Sequence, residues 1–182
     1  SDMDGGPHHP VGANEKMQVD FTVNQEAATL WFHPHALGTT AEQVYAGLAG
    51  LIFVEDDNSD QLDLPKDYGV NDFPLIIQDR SFDADNQFDY AGAYDPDGTY
   101  GDTLLVNGTI NPFVEVKNEQ IRLRLVNGSN ARNYTFGLEN GAEFHQIASD
   151  GGFLEQPVAL TSVTLTPGER AEIIVDLSGY AE

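Results

Sequence analysis

The sequence contains no cysteine among its 182 residues. The chain therefore has no disulfide framework and no thiolate that could bind a metal or act as a nucleophile. A blue copper electron-transfer site needs a cysteine ligand beside its histidines, so this chain alone cannot build such a site.

Positive charge is also scarce, with 8 Lys and Arg against 30 Asp and Glu and a net charge of −22. A surface this acidic repels phosphate backbones and anionic lipids, which excludes nucleic acids and membrane surfaces as partners. We interpret the acidity as a solvated surface rather than a docking site. No apolar run approaches the ~20 residues of a membrane span.

The stretch LWFHPH at 30–35 is the most informative part of the sequence. Its apolar, aromatic entry predicts a buried strand. Side chains alternate on a strand, so Trp31, His33 and His35 project to one face. Leu30 and Phe32 project to the other.

Pro34 has no N–H to donate to a sheet, which predicts that the strand ends there or lies at an edge. Two imidazoles at i and i+2 at such a rim can converge on one metal or on two adjacent metals. Zinc, copper, iron and nickel all accept imidazole, so the pair does not select the element. Taken alone, His33 and His35 fit two histidines packed or hydrogen-bonded on a strand face better than they fit a metal site.

The apolar patterns predict a β-rich chain. Strands are expected at 17–23, 29–35 and 49–55, with a short helix from Thr39 or Thr40 to about Leu48. Three strands make only half of a sandwich, which needs about seven. The acidic stretch 56–69, with five aspartates and no apolar period, predicts a linker.

Beyond the linker, closely spaced strand patterns predict an antiparallel sandwich with a full strand set over 70–182. These patterns lie at 74–82, 87–90, 103–106, 113–116, 121–127, 133–138, 143–148, 163–166 and 171–177. His145 stands alone, so we interpret it as a packed or hydrogen-bonded histidine. Arg122 and Arg124 share a strand face and are expected to pair with nearby acids.

The segment HPHALGTTAEQVYAGLAGLIFVED resembles the second His-x-His segment of the multicopper oxidases, in the branch of bacterial laccases and cuprous oxidases. The resemblance covers nearly the whole chain. It includes DGGP, DFPLIIQDRSFDADNQFDY, GDTLLVNGTINPF, RLRLVNGSNARNYTF and IASDGGFLEQP.

This resemblance implies an all-β fold, a cupredoxin-like Greek-key β-sandwich. Residues 1–56 would be the C-terminal part of a first cupredoxin-like domain, 57–69 a linker, and 70–182 a second domain that binds no copper. The cofactor would be a trinuclear copper cluster held by eight histidines. His33 and His35 would each bind one of its two coupled coppers, and residues outside this chain would complete the cluster.

Asp4 opens the DGGP motif. In the oxidases that the chain resembles, an acid at this place lies near the copper cluster and helps to deliver protons to oxygen. Without the resemblance, Asp4 equally fits an aspartate that caps a Gly-Gly turn.

The resemblance further implies part of an enzyme that oxidises phenols or metal ions and reduces O₂ to water, in a periplasmic or extracellular location. The expected partners are O₂, the reductant, and the remaining domains of the parent polypeptide or a second copy. This chain alone is expected to be inactive, since it holds two of the eight histidine ligands.

Two other readings fit a His-x-His motif on a β-sandwich. The first is a copper-free structural or protein-binding relative of the same fold, although such relatives lose the histidines that this chain keeps. The second is a cupin-type metal sandwich, which expects a Glu and a further His at set distances. Glu42 and His145 do not give that spacing.

Overall fold

The structure is a computed structural model that describes residues 10–180, which form many strands and two short helices. In chain order the elements are β1 (Ala28–Phe32), α1 (Thr40–Tyr45), β2 (Gly50–Val54), α2 (Asp57–Gln61), β3 (Asp72–Arg80), β4 (Tyr94–Asp95), β5 (Gly98–Thr99), β6 (Thr103–Val106), β7 (Thr109–Ile110), β8 (Gln120–Asn127), β9 (Tyr134–Gly137), β10 (Phe144–Ser149), β11 (Gly152–Leu160), β12 (Ser162–Leu165) and β13 (Arg170–Asp176). Neither of these helices has the length and apolar character needed to cross a membrane.

Seven strands form the main sheet in the order β11-β10-β13-β8-β3-β6-β7. Neighbouring strands run antiparallel, as predicted, except that β3 and β8 are parallel. The long strands β3, β8 and β13 lie inside the sheet, where both neighbours satisfy their backbone groups. β11 lies at an edge of the sheet. Among the described residues no further strand pairs with its outer side, so Pro157 can lack a backbone N–H there without loss of a hydrogen bond.

The hydrophobic core lies between the main sheet and a two-stranded sheet of β9 and β12. β8 contributes Ile121 and Leu125 to this core, and β13 contributes Ile173 and Val175. Phe136 of β9 packs against them from the opposite layer. Because side chains alternate, the residues between these positions point to the other face of the main sheet.

The hairpin of β1 and β2 packs against the face of the main sheet opposite the core, and β1 contacts β10, β11 and β13. Helix α1, which follows β1 in the chain, is attached to the end of β3 through Tyr45, which is 1% exposed. The Tyr45 hydroxyl accepts a hydrogen bond of 2.7 Å from the backbone N–H of Ser81. Arg80 Nη2 donates to the carbonyl of Val44 at 3.0 Å. The segment that carries the two histidines is thus fixed to the sheet at both ends.

Three predicted strands are wrong for the described residues. The stretch 87–90 forms only an isolated bridge between Phe88 and Phe82. The stretches 17–23 and 113–116 have no strand structure, and Phe113 is 90% exposed. Both have a strand-like sequence, but no strand of residues 10–180 pairs with them. Alternation supplies one apolar face, and a strand also needs a partner for its backbone hydrogen bonds.

Other differences are local. The nine residues of β11 were not predicted, and His145 is exposed on β10 rather than packed or hydrogen-bonded. The stretch expected to be a linker contains α2, which begins with a capping box. Asp56 Oδ1 accepts from the Ser59 N–H at 2.7 Å, and Ser59 Oγ accepts from the Asp56 N–H at 3.0 Å.

Candidate metal centre

The two histidines follow directly after the end of a strand. β1 ends at Phe32, and the chain from His33 to His35 lies between β1 and α1. Pro34 cannot donate a backbone hydrogen bond, which explains why strand pairing stops here. His33 is half-buried and His35 is exposed. The pair therefore lies at a rim, where additional groups can reach the ring nitrogens.

Three aromatic rings lie side by side on one face of this segment. The ring centroids of Trp31 and His33 are 4.4 Å apart, at an interplanar angle of 35°. Those of His33 and His35 are 4.2 Å apart, at 33°. The structure thus brings both imidazoles to the same side, as strand alternation predicts.

One hydrogen bond determines the tautomer of His33. Its Nδ1 lies 3.0 Å from the carbonyl oxygen of Pro34. A carbonyl only accepts, so Nδ1 carries the proton and Nε2 keeps its lone pair for a ligand bond. Partial burial lowers the pKa of His33 below 6.5, against the raising effect of the Pro34 carbonyl, and the nearby His35 lowers it further. Neutral imidazole, the form that binds metals, is therefore favoured.

The donor set fits part of a copper site. Imidazole nitrogen is a good copper ligand, and His33 is held in the required tautomer. Two imidazoles do not complete a coordination shell, and residues 10–180 contain no group of three or more His, Cys, Asp or Glu that could hold a metal ion. His33 and His35 therefore fit as two ligands of a set that other residues complete.

The other two candidate residues of the sequence analysis are Asp4 and His145. Asp4 lies outside the described residues, so its predicted role stays a prediction. His145 lies on β10 and does not join His33 and His35 in a group that could hold a metal ion.

A buried cluster of charged residues lies beneath the histidine-bearing strand. Arg124 donates from Nε to Asp72 Oδ1 at 2.8 Å and from Nη2 to Asp72 Oδ2 at 2.6 Å. Arg122 donates from Nε to Glu172 Oε2 at 2.8 Å, and its Nη2 also donates to this oxygen. All four side chains are buried. The predicted pairing of the two arginines with acids is confirmed.

The cluster reaches β1 through Thr29, a residue that the sequence analysis did not single out. Its hydroxyl donates to Glu172 Oε1 at 2.6 Å and accepts from Arg124 Nη1 at 3.0 Å. Burial alone would lower the pKa of Arg124, but the hydrogen bond to Asp72 and the charges of Glu172 and Asp72 raise it on balance. The guanidinium also lies 4.5 Å above the ring of Phe53 in β2.

A sequence signal for this cluster exists. In RLRL, arginines at 122 and 124 alternate with leucines, and a glutamate at 172 interrupts the apolar run of β13. Charges at every second position of a central strand indicate a sheet face that is covered but not part of the apolar core. The sequence does not show that Thr29 lies on this face, because the contact joins residues 143 positions apart.

Comparison with known families gives two matches along the chain. A multicopper oxidase family model matches residues 2–59, and a second multicopper oxidase model matches residues 71–181.

Individual relatives agree with these matches. The chain is 48% identical over 176 residues to a multicopper oxidase of Staphylococcus haemolyticus, covering 97% of this chain and 39% of that protein. It is 45% identical over 180 residues to the cell division protein FtsP of Escherichia coli, covering 98% of this chain and 38% of the relative.

Solved structures give the same result. A crystal structure of a multi-copper oxidase from Pediococcus acidilactici superposes with a TM-score of 0.96 at 46% identity, covering 100% of this chain and 38% of that one. McoA from Aquifex aeolicus superposes with a TM-score of 0.90 at 39% identity, covering 99% of this chain and 41% of that one. The expected all-β, cupredoxin-like fold is confirmed. The chain belongs to the multicopper oxidase family.

Proposed function

We propose that this chain supplies two copper ligands, His33 and His35, to a multicopper oxidase that oxidises its substrate one electron at a time and reduces O₂ to water. The observation that carries the proposal is the side-by-side arrangement of the two imidazoles. Their ring centroids are 4.2 Å apart, and His33 Nδ1 is engaged by the Pro34 carbonyl. Both rings therefore lie next to each other with one nitrogen of His33 reserved for a metal.

The proposed function belongs to a longer protein. The chain spans 39% of the length of the staphylococcal relative it matches. We assign 1–56 to the C-terminal part of a first cupredoxin-like domain, 57–69 to a linker, and 70–182 to a second domain without copper. The other ligands of a trinuclear cluster would then come from outside this chain. Family membership supports copper as the metal.

The chain's own residues would prepare the site for the metal. Copper held by His33, His35 and the other ligands would supply one-electron redox chemistry towards O₂. The Pro34 carbonyl holds His33 in one tautomer, and the indole of Trp31 covers one face of the His33 ring. Because the ligand geometry is set before the metal binds, little reorganisation accompanies binding.

Substrate and location follow from the same proposal. We propose phenols or metal ions as reductants, in the laccase-like or cuprous oxidase-like range of the family, and a periplasmic or extracellular location. The staphylococcal and Pediococcus relatives carry oxidase names. The net charge of −22 would attract a cationic reductant rather than repel it.

Oxygen uptake by the full-length protein tests the proposal. His33→Ala and His35→Ala together should abolish oxygen reduction with a phenolic dye and leave the absorbance of the blue site, which would lie outside this chain. His145→Ala, changed at an exposed histidine, is the matched control and should retain wild-type uptake. Oxygen uptake at the parental rate in the double variant would refute the proposal.

The 182-residue chain by itself should show no dye turnover, because two imidazoles cannot form the cluster. Oxygen-coupled dye oxidation by the purified chain would contradict this expectation.

Asp4 carries a finer part of the proposal. If this carboxylate relays protons to oxygen, Asp4→Asn should slow reoxidation of the reduced protein and leave its copper content unchanged. A reoxidation rate equal to that of the wild type at every pH would instead leave Asp4 as the cap of its Gly-Gly turn.

A copper-free structural relative is the alternative, and the similarity to a protein named for cell division keeps it relevant. We do not favour it, because a copper-free fold has no need for two adjacent imidazoles with one fixed tautomer. Copper analysis of the full-length protein separates the two functions.

A further inference from the structure

Thr29 connects the histidine-bearing strand to the main sheet through three hydrogen bonds. Its side chain is 1% exposed. The hydroxyl is shared between Glu172 and Arg124, and the carbonyl oxygen of Thr29 accepts from Arg170 Nε at 3.1 Å. All three partners are charged side chains of the main sheet. Charge-assisted hydrogen bonds are short and directional, so they fix this point of β1 tightly.

Because Thr29 is held in place, the side chains that follow it on the same face of β1 are held as well. Thr29, Trp31 and His33 share that face because they are two residues apart. Trp31 lies against the turn that precedes β13, where a Cβ on Gly168 would be 3.4 Å from Trp31 Cζ2. The indole is in turn 4.4 Å from the His33 ring. A shift of Thr29 would therefore displace the indole and the first imidazole together.

Arg170 ties this arrangement to the turns at one end of the main sheet. Besides its bond to Thr29, it donates from Nη2 to the Asp150 carbonyl at 2.7 Å and from Nη1 to the Gly168 carbonyl at 3.0 Å. One guanidinium thus holds β1 and the Gly168 turn, against which the Trp31 side chain of β1 lies. After His35, Tyr45 provides the second attachment through α1.

Stability alone does not account for such a cluster. Replacing a buried ion network by apolar side chains of similar volume is often neutral or stabilising, because the charges must be desolvated. What a satisfied network adds over an apolar contact is a single defined geometry. The element that this geometry defines is the strand ending in the two histidines.

We propose that Thr29, Arg124, Glu172 and Arg170 are positioning residues for the imidazole pair. None of them is a metal ligand. They hold β1 at a set distance from the main sheet, so that His33 and His35 stand at the rim in one orientation. This inference rests on the proposed function, and it gives the copper-free second part of the chain a role in shaping the copper site.

The direct test is the proton NMR spectrum of the metal-free, full 182-residue chain. The ring current of Trp31 should displace the imidazole proton signals of His33, and through the stack those of His35, away from the signals of the exposed His145. Thr29→Val removes the hydroxyl but keeps the β-branched shape. Thr29→Ser keeps the hydroxyl. Thr135→Val is the matched control, since Thr135 shares an exposed hydroxyl pair of 2.8 Å with Thr164 on β9 and β12.

We expect Thr29→Val to move the His33 and His35 signals towards those of His145, and Thr29→Ser and Thr135→Val to leave them in place. Arg170→Gln, which changes a partly exposed side chain, should move the His33 and His35 signals in the same direction. If Thr29→Val does not fold, the proposal is tested with Arg170→Gln alone. Unchanged signals in Arg170→Gln and in a folded Thr29→Val would overturn the proposal. A Thr29→Ser shift as large as that of Thr29→Val would overturn it as well.

A titration of the chain with Cu²⁺ separates this inference from the proposed function. Trp31 is the single tryptophan of the sequence, so Cu²⁺ bound at His33 should quench the chain's tryptophan fluorescence. Equal quenching in the wild type and in the His33→Ala/His35→Ala variant would count against the proposed function. The metal-free NMR comparison would still decide the positioning role.

Discussion

Thr29 and Glu172, which are 143 positions apart in the chain, share a buried hydrogen bond of 2.6 Å from the threonine hydroxyl to the carboxylate. This bond joins the strand that ends in the histidine pair to the last strand of the main sheet. The main sheet thus contacts the segment that carries the histidine pair through a charged, desolvated cluster.

Removing one charge from this cluster should be costly. Glu172→Gln keeps the shape of the side chain but removes the charged carboxylate that accepts the hydrogen bonds of the buried Arg122 guanidinium, and should lower the free energy of unfolding by about 3–5 kcal/mol. Urea denaturation measures this loss. Glu155→Gln, at an exposed position of β11, should stay within about 0.5 kcal/mol of the wild type. Equal stabilities of the two variants would contradict the importance of the cluster.

The carboxyl group of Asp79 should make the stability of the folded chain depend on pH. Burial raises the pKa of its carboxyl, but hydrogen bonds from Ser129, Arg132 and the Gly101 N–H more than offset this, and the pKa in the folded chain lies below 3.8. A carboxyl whose pKa is lowered by folding stabilises the fold above its unfolded pKa and loses this contribution as the pH falls through its folded pKa.

The destabilisation caused by Asp79→Asn should therefore be largest at neutral pH and should shrink below about pH 4. Urea midpoints of both proteins from pH 7 to pH 3 measure it. Asp63→Asn, at an exposed position, controls for the loss of one negative charge. A difference that grows towards acid pH would have the wrong sign for this account.

Gly101 should tolerate no side chain. A Cβ there would lie 2.3 Å from the backbone nitrogen of Arg80, and neither backbone can move without breaking the 2.8 Å bond from the Gly101 N–H to Asp79 Oδ2. Gly101→Ala should cost at least about 1–3 kcal/mol. Gly151→Ala, with open space around its Cβ, is the matched control, and thermal unfolding compares them. Equal melting temperatures would show that the backbone contact is not tight.

Much of the fold could be predicted from local patterns. The central strands β3, β8 and β13 are long, apolar and β-branched, and their positions agree with the prediction within a few residues. The Asn107-Gly108 turn signal is also correct, since both residues have positive φ, 50° and 75°, and connect β6 to β7.

The remainder depends on partners that a pattern does not name. The sequence of 17–23 alternates as well as a true strand, yet no strand of the described chain pairs with it. β11 has the opposite character, because Gly152, the polar Glu155-Gln156 pair and Pro157 suggest a loop, and only pairing with β10 makes it a strand. For the site, alternation predicts the shared face of His33 and His35, but the cluster beneath Thr29 depends on contacts distant in sequence.

The most direct test of the account is the copper content of the full-length protein, measured by elemental analysis after copper loading and removal of free metal. We predict that the His33→Ala/His35→Ala variant loses bound copper relative to the wild type, because we propose both imidazoles as ligands, and that His145→Ala retains the wild-type amount. Wild-type copper content in the double variant would contradict the assignment of His33 and His35 as copper ligands.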